Sequence, residues 1–393
     1  MKYLSLKRKI AIPALCAIVA LGSAGMAACS SSSGSGGSET TAASGKIEIT
    51  DVDGKSYTFD KPLEKVVIQW SGSGGPFMTM SGLLGEDVYK YIAGMDNGLA
   101  DYRADMWNNY LKTIPELENI PKVGTIGEDF DTEGVIATGA DAAIFPIGLK
   151  ESAQEVQEKL ESAGIPVIYT DYHDETKENH IKTAEILGKL FGKEDRAREM
   201  VDFYVEHREN VEKKVEEILK TKERPEIYVE VAMGGPSEYG NTYSNNYMWG
   251  GIAYDSGATM VGEGVIETAS AIDPEYLLEK DPEKIVFTGS YWPKEPTSIR
   301  LGFEADESQT KKLIEAYFDR SGWDSLQAVK NKDIHVIHHG IGRELYDCVC
   351  YEYFAKVCFP DEFQDVDPAA SLKEWYDKFL PYDFSGLWFY DYK

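Results

Sequence analysis

The side chains able to do chemistry cluster at breaks between apolar runs. KVVIQW (65–70) ends abruptly in SGSGGP (71–76), so Trp70, Ser71 and Ser73 stand where a strand gives way to a turn before a helix. Backbone N–H groups in such a turn can cradle an anion. The turn is not a dinucleotide fingerprint: the G-x-G-x-x-G spacing is absent, and no acidic residue about 20 positions on completes one.

A second cluster is GGPSEYGNTYSNNYMWGG (234–251), in which Tyr239, Tyr243, Tyr247 and Trp249 punctuate Gly, Asn and Ser. This spacing fits neither a helix nor a strand, so loops are expected to present these rings, and loops on a rigid scaffold are where binding residues concentrate. Aromatic walls with a few polar groups suit a large planar or catecholate ligand. TGSYWPKEPTSIR (288–300) repeats the theme with Tyr291, Trp292 and Arg300, and Tyr172, directly after IPVIYTD (165–171), joins the same candidate set. His338-His339-Gly340-Ile341-Gly342-Arg343 closes the last strand. Adjacent strand side chains face opposite ways, so one histidine is expected in a cleft and the other in the core. Arg343 could hold a carboxylate, phosphate or hydroxamate oxygen through its two-pronged guanidinium.

Other chemistries find less support. No G-x-S-x-G elbow, H-E-x-x-H, P-loop or S-x-x-K appears, and no carboxylate pair stands out for glycoside hydrolysis, so catalysis is not expected. The remaining histidines (His173, His180, His207, His335) are isolated, whereas a naked-metal site needs several ligands converging. The net charge of −27 argues against nucleic acid and against peripheral binding to anionic lipid.

The N-terminus reads as an export signal: Lys7-Arg8-Lys9, an apolar stretch Ile10–Leu21 too short to span a bilayer, small residues, then Cys29. Ala27-Ala28-Cys29 resembles a bacterial lipobox, with Met26 where Leu is usual, which implies a lipid on Cys29. Residues 30–45 are almost wholly Ser, Gly, Thr and Ala and behave as a flexible tether. The other cysteines outside the signal, Cys348, Cys350 and Cys358, lie in RELYDCVCYEYFAKVCF, which reads as a helix. On a helix, Cys350 and Cys358 are about 12 Å apart, too far to bridge. Buried free thiols are expected, with a C-x-C metal or redox site as the alternative.

Stepping from sites to elements, short apolar runs alternate with amphipathic stretches, the signature of a parallel, helix-covered sheet. KIEITDVDGKSYTF reads as a hairpin turned at Asp53-Gly54. EDRAREMVDFYVEHRENVEKKVEEILK (194–220) is one long helix without strand punctuation, roughly 40 Å at 1.5 Å per residue. Strands resume with EIYVEVA (226–232), KIVFTGSY (284–291) and DIHVIHHG (333–340). The expected organisation is a signal at 1–28, an anchor and linker at 29–45, an α/β lobe at 46–192, a connecting helix at 193–221 and a second α/β lobe at 222–393.

This order of parts resembles the class III extracytoplasmic solute-binding proteins of ABC importers, which bind ferric siderophores, haem and cobalamin. The resemblance rests on the hairpin with DKPLEKVVI (60–68), on FDTEGVIATGADAAIF (130–145), on its second-lobe counterpart IDPEYLLEKDPEKIVFTG (272–289), and on KNKDIHVI (330–337). It implies a monomeric, membrane-anchored receptor without a cofactor, holding its solute between the lobes and handing it to ABC permease and ATPase subunits. A ferric siderophore is the favoured cargo; haem, cobalamin or a free metal are the alternatives, and outside the class a tethered surface hydrolase. The resemblance also implies one permease-docking acid per lobe: Glu275 in the second lobe, while in the first lobe the expected helix, FMTMSGLL, holds no acid before Glu86.

Overall fold

The structure, a computed structural model, describes residues 45–173 and 176–393. The signal, the lipobox Cys29 and the tether up to residue 44 lie outside the described residues. A hairpin of β1 (Ile47–Thr50) and β2 (Ser56–Phe59) opens the chain, its turn carrying Gly54 at φ 88°. β3 (Val66–Ile68), β4 (Ile92–Met95), β5 (Ala142–Pro146) and β6 (Val167–Thr170) form an all-parallel sheet in the order β4-β3-β5-β6. β3, β5 and β6 are buried along their whole length, which is why they read as unbroken apolar runs.

The second sheet contains β7 (Glu226–Val231), β9 (Thr259–Met260), β11 (Lys284–Gly289), β12 (Ile334–His338) and β13 (Phe389–Asp391). β8 (Thr242–Tyr243) and β10 (Ala269–Ser270) make a separate antiparallel ribbon. The order β9-β7-β11-β12 repeats that of the first sheet strand for strand, and β13 adds an antiparallel edge. The helix Thr132–Thr138 leads into β5, and Pro274–Lys280 into β11, so these two helices occupy equivalent places. In both, an N-cap aspartate (Asp131, Asp273) accepts from backbone N–H groups of the first turn.

Between the sheets in sequence runs one helix, Glu194–Ile218, of 25 residues and about 37 Å. Its apolar stripe touches both halves. On the first-lobe side Met200 lies over Gly82, where an added Cβ would meet Met200 Cε at 2.5 Å, and Ala197 meets Gly188 in the same way. On the other side Phe203 meets Trp375 edge-on at 5.3 Å, and Arg208 Nη2 donates to Asp255 Oδ2 at 3.0 Å. The cysteines sit on the helix Cys348–Cys358, all three buried and free.

Candidate functional site

β3 ends at Gln69, whose amide nitrogen donates to Gly124 O at 2.9 Å and whose amide oxygen accepts from Ile126 N at 3.0 Å. The chain then reverses through Trp70, which takes the left-handed φ of 57°. Gly75 is obligatory in this turn, since a Cβ there would lie 2.3 Å from Gln69 O. Asp96, at the end of β4, fastens the turn: it accepts from Ser71 N (3.0 Å), Ser71 Oγ (2.8 Å) and Gly98 N (2.6 Å). Burial pushes the Asp96 carboxyl up against the pull of these three bonds.

The turn also reaches the second lobe. Ser73 Oγ donates to Gly340 O at 3.2 Å and Gly74 N to Arg343 O at 3.0 Å. Between the two sheets opens a cavity of about 430 Å³. Trp70, Ser73, Asp96, Arg103, Thr125 and Glu128 line it from the first lobe; Met233, Asn241, Tyr243, Met248, Trp292, His339 and Arg343 line it from the second. The elements meeting there are strand ends and the turns after them, the usual place for a ligand in parallel α/β sheets.

Of the residues singled out from sequence, Trp70, Ser73, Tyr243, Trp292, His339 and Arg343 are brought together on this cavity. The others lie elsewhere. Ser71 is buried behind the turn on Asp96. Tyr172 is in the core, its hydroxyl 2.7 Å from Thr79 Oγ1. Tyr247 is half-buried beyond Tyr243, ring centroids 6.4 Å apart. Tyr291 carries Arg300 over its ring at 4.9 Å, outside the cavity lining. His338 is buried against Trp388 at 4.6 Å, with Nδ1 accepting from Gly340 N. His339, one residue on, faces the cavity, its Nδ1 2.9 Å from Thr288 Oγ1. Within GGPSEYGNTYSNNYMWGG the aromatics divide: Tyr239 accepts from Trp323 Nε1 at 3.0 Å, Trp249 is fully buried at the head of a helix, and Tyr243 lines the cavity. Glu275 is exposed in the first turn of Pro274–Lys280.

Arg103 was missed by the sequence reading. It separates the helices Gly98–Tyr102 and Ala104–Thr113, is 3% exposed, and lies with its guanidinium carbon 5.8 Å from the centroid of Trp292. Burial and the Arg343 charge draw its pKa down to about 9. The signal was present, since Arg103 is the single arginine between residues 46 and 192, a span otherwise using lysine. Arginine holds its charge where a buried lysine would shed it.

The imidazoles beside the cavity feel the same field. Burial, then the Arg343 charge, lowers His173 to about 4, and burial with both guanidiniums lowers His339. Both rings are therefore neutral at pH 7. Among the described residues no group of three or more His, Cys, Asp or Glu could hold a metal ion. The site presents aromatic faces, neutral imidazoles and guanidinium forks: a surface for gripping a preformed solute.

Residues 96–339 match the family model described as periplasmic binding protein. The chain belongs to that family. The TroA-like periplasmic binding protein FepB from Veillonella parvula is 49% identical, with a TM-score of 0.85 over 88% of this chain and 100% of that one. The molybdate-binding protein MolA of Haemophilus influenzae is 21% identical over 320 residues, 75% of this chain and 81% of MolA. An ABC-type Fe3+-hydroxamate transport protein from Saccharomonospora viridis shares the fold at 23% identity and a TM-score of 0.52, covering 79% of this chain and 98% of that one. This periplasmic binding protein is thus an extracytoplasmic solute receptor of the class III type serving ABC importers, and not an enzyme; its ligand is a transported substrate, not a cofactor. No helix among the described residues is long and apolar enough to cross a membrane.

Proposed function

We propose that this receptor captures a chelated metal, foremost a ferric siderophore, and delivers it to an ABC permease and its ATPase. The observation that carries the reading is the lining of the 430 Å³ cavity, in which Trp70 from one lobe faces Trp292 and Tyr243 from the other, beside Arg343 and His339. Rings of this kind suit a flat or rounded organic shell around an ion, and the cavity has the size of a small-molecule site. The hydroxamate description of the Saccharomonospora relative agrees with this cargo; the molybdate of MolA marks a bare oxyanion as the competing one. Trp70 and Trp292 make the test direct, because a ferric chelate in contact with them quenches their fluorescence. Saturable quenching at micromolar ferric chelate supports the reading. Binding of haem, cobalamin or molybdate instead would replace the cargo class.

Docking on the permease is assigned to Glu275 and, by its equivalent place before β5, to Glu133, in place of the first helix where no acid stands. Both are exposed on the first turn of capped helices. Glu133→Lys with Glu275→Lys is expected to abolish uptake while leaving solute binding intact; unchanged uptake would remove both residues from the docking role. The lipid anchor at Cys29 belongs to the same proposal, and loss of membrane retention in Cys29→Ala tests it.

A further inference from the structure

Arg103 is an anomaly that the receptor reading leaves unused. Its side chain is buried, yet its Nε has no hydrogen-bond partner, and it makes no ion pair among the described residues. Only one hydrogen bond is recorded for its guanidinium, from Nη1 to Tyr102 O at 2.6 Å. A buried guanidinium without a counter-charge is costly, and proteins keep one where something else supplies the charge.

The neighbouring acids do not supply it. Asp105 accepts from Phe303 N at 2.7 Å, and burial raises its carboxyl to about 6. Burial raises Glu344 well above the carboxylate range, so it stays protonated at pH 7. Asp96 is committed to Ser71 and Gly98, and Glu128 is exposed at the rim. His339 and His173 add no negative charge. On the second lobe, Arg343 lines the same cavity and opposes the Arg103 charge.

We propose that the cleft selects a multiply charged anion, gripped by one guanidinium from each lobe, Arg103 and Arg343, with Arg103 as the specificity-determining residue. This deepens the receptor reading and rests on it. The geometry makes the anion a bridge as well as a guest. Arg103 reaches across to the second lobe, lying so close to Gly340 that a Cβ there would sit 2.6 Å from Arg103 Nε, and it stacks beside Trp292. Arg343 in turn lies over the first-lobe turn, 3.8 Å from a Cβ built on Gly74. With the cleft empty, two like charges face one interlobe space; an anion between them converts repulsion into attraction on both sides. Carboxylate, catecholate and oxyanion oxygens all match a guanidinium fork, and a neutral shell of equal size leaves both forks uncompensated.

The test titrates the full-length protein at low salt with four probes, following tryptophan fluorescence and heat. The probes are a trianionic ferric tris-catecholate, a neutral ferric trihydroxamate, and iron-free citrate and molybdate. The expected result is binding of the tris-catecholate well ahead of the neutral chelate. Arg103→Gln should weaken the anion about 10- to 100-fold, the worth of a charge-assisted hydrogen bond, and leave the neutral chelate unmoved. Arg103→Lys, which keeps charge but not the fork, should fall between; it serves if the Gln variant fails to fold. Equal binding of neutral and anionic chelates, or of wild type and both variants, overturns the charge selection while the receptor reading stands. Arg103-dependent binding of citrate or molybdate without any ferric chelate upholds the selection and overturns the chelate. Failure of all four probes overturns both.

Discussion

The wall of the cleft that carries Met233, Asn241 and Tyr243 depends on an ion pair that never touches ligand. Glu230 of β7 is fully buried and takes a two-pronged bond from Arg320, Nη1 to Oε2 at 2.7 Å and Nη2 to Oε1 at 2.8 Å. Tyr228 OH and Gly240 N occupy its remaining lone pairs at 2.9 and 3.0 Å. Arg320 also ties the loop beyond β7, donating to Pro236 O at 2.9 Å and to Glu238 O, with its guanidinium 4.2 Å from the Tyr239 ring, 4.5 Å from Tyr317 and 4.7 Å from Trp323. Arg320→Ala leaves a buried carboxylate with half its partners and a loop with two free carbonyls. Breaking a buried pair from one side costs about 3–5 kcal/mol, and the good geometry here places the loss near 4. Glu230→Gln with Arg320→Met removes both charges and keeps the Tyr228 and Gly240 bonds, so the pair together should cost only about 1–2 kcal/mol. Urea unfolding of the single and double variants measures the cycle, and ligand titration should show Arg320→Ala binding weakly although residue 320 lines no part of the cavity. Additive costs, or a single-variant cost under about 1 kcal/mol, would refute the argument.

Three further outcomes follow from other residues. His335 lies between Asp391 Oδ1 and Asp333 Oδ1, each 2.7 Å from a ring nitrogen, and these partners raise its pKa against burial. Its stabilisation is whole below the ordinary histidine value near 6.5 and is lost as pH rises through the raised folded value, so His335→Gln should lose stability at pH 6 and little at pH 9 in thermal melts. Asp105, raised to about 6 by burial, stabilises least when charged: stability falls as pH climbs from near 4 through 6, and Asp105→Asn should exceed wild type at pH 8 by about 3 kcal/mol and match it at pH 4. X-ray scattering with and without bound ligand should show little compaction, and a large decrease in radius of gyration would refute a stiff connector.

How much of this was legible depends on whether the deciding interaction is local. The first helix, Phe77–Leu84, and the long helix were written in short-range pattern: a Gly-Pro break ahead of one, apolar residues at helical spacing in the other. The alternation of His338 and His339 follows from the two-residue period of β12. LKESAQEVQEKLESAG read as one helix, yet Ile147–Leu149 forms a separate tight turn and the helix begins at Gln154. Tyr239 and Trp249 had the composition of a binding loop, but Trp323 and the core claim them through contacts distant in sequence. The antiparallel β13 is three residues long and carries too little pattern to stand out. Arg103 was invisible for the same reason, since only the approach of Trp292 and Gly340 makes its burial costly.

The two ends of the cleft are constrained by different kinds of bond, and this limits how a ligand can act. At the back, the long helix joins both lobes through a buried polar chain. His180 Nδ1 lies 3.2 Å from Tyr204 OH and 3.3 Å from Asp347 Oδ2, and Arg208 Nη1 donates to Tyr204 OH at 2.8 Å. Burial lowers His180 to about 3, so this ring is neutral and the chain does not loosen between pH 5 and 8. Across the cleft, single hydrogen bonds run between the lobes: Ser73 to Gly340, Gly74 to Arg343, and Phe303 N to Asp105. Such bonds are worth about 1 kcal/mol each and exchange readily with water, whereas the buried chain does not. Opening must therefore begin on the cleft side and stay small. A ligand can shift that opening only by its differential contact with the two lobes, and the groups best placed to provide it are the two guanidiniums, one on each side.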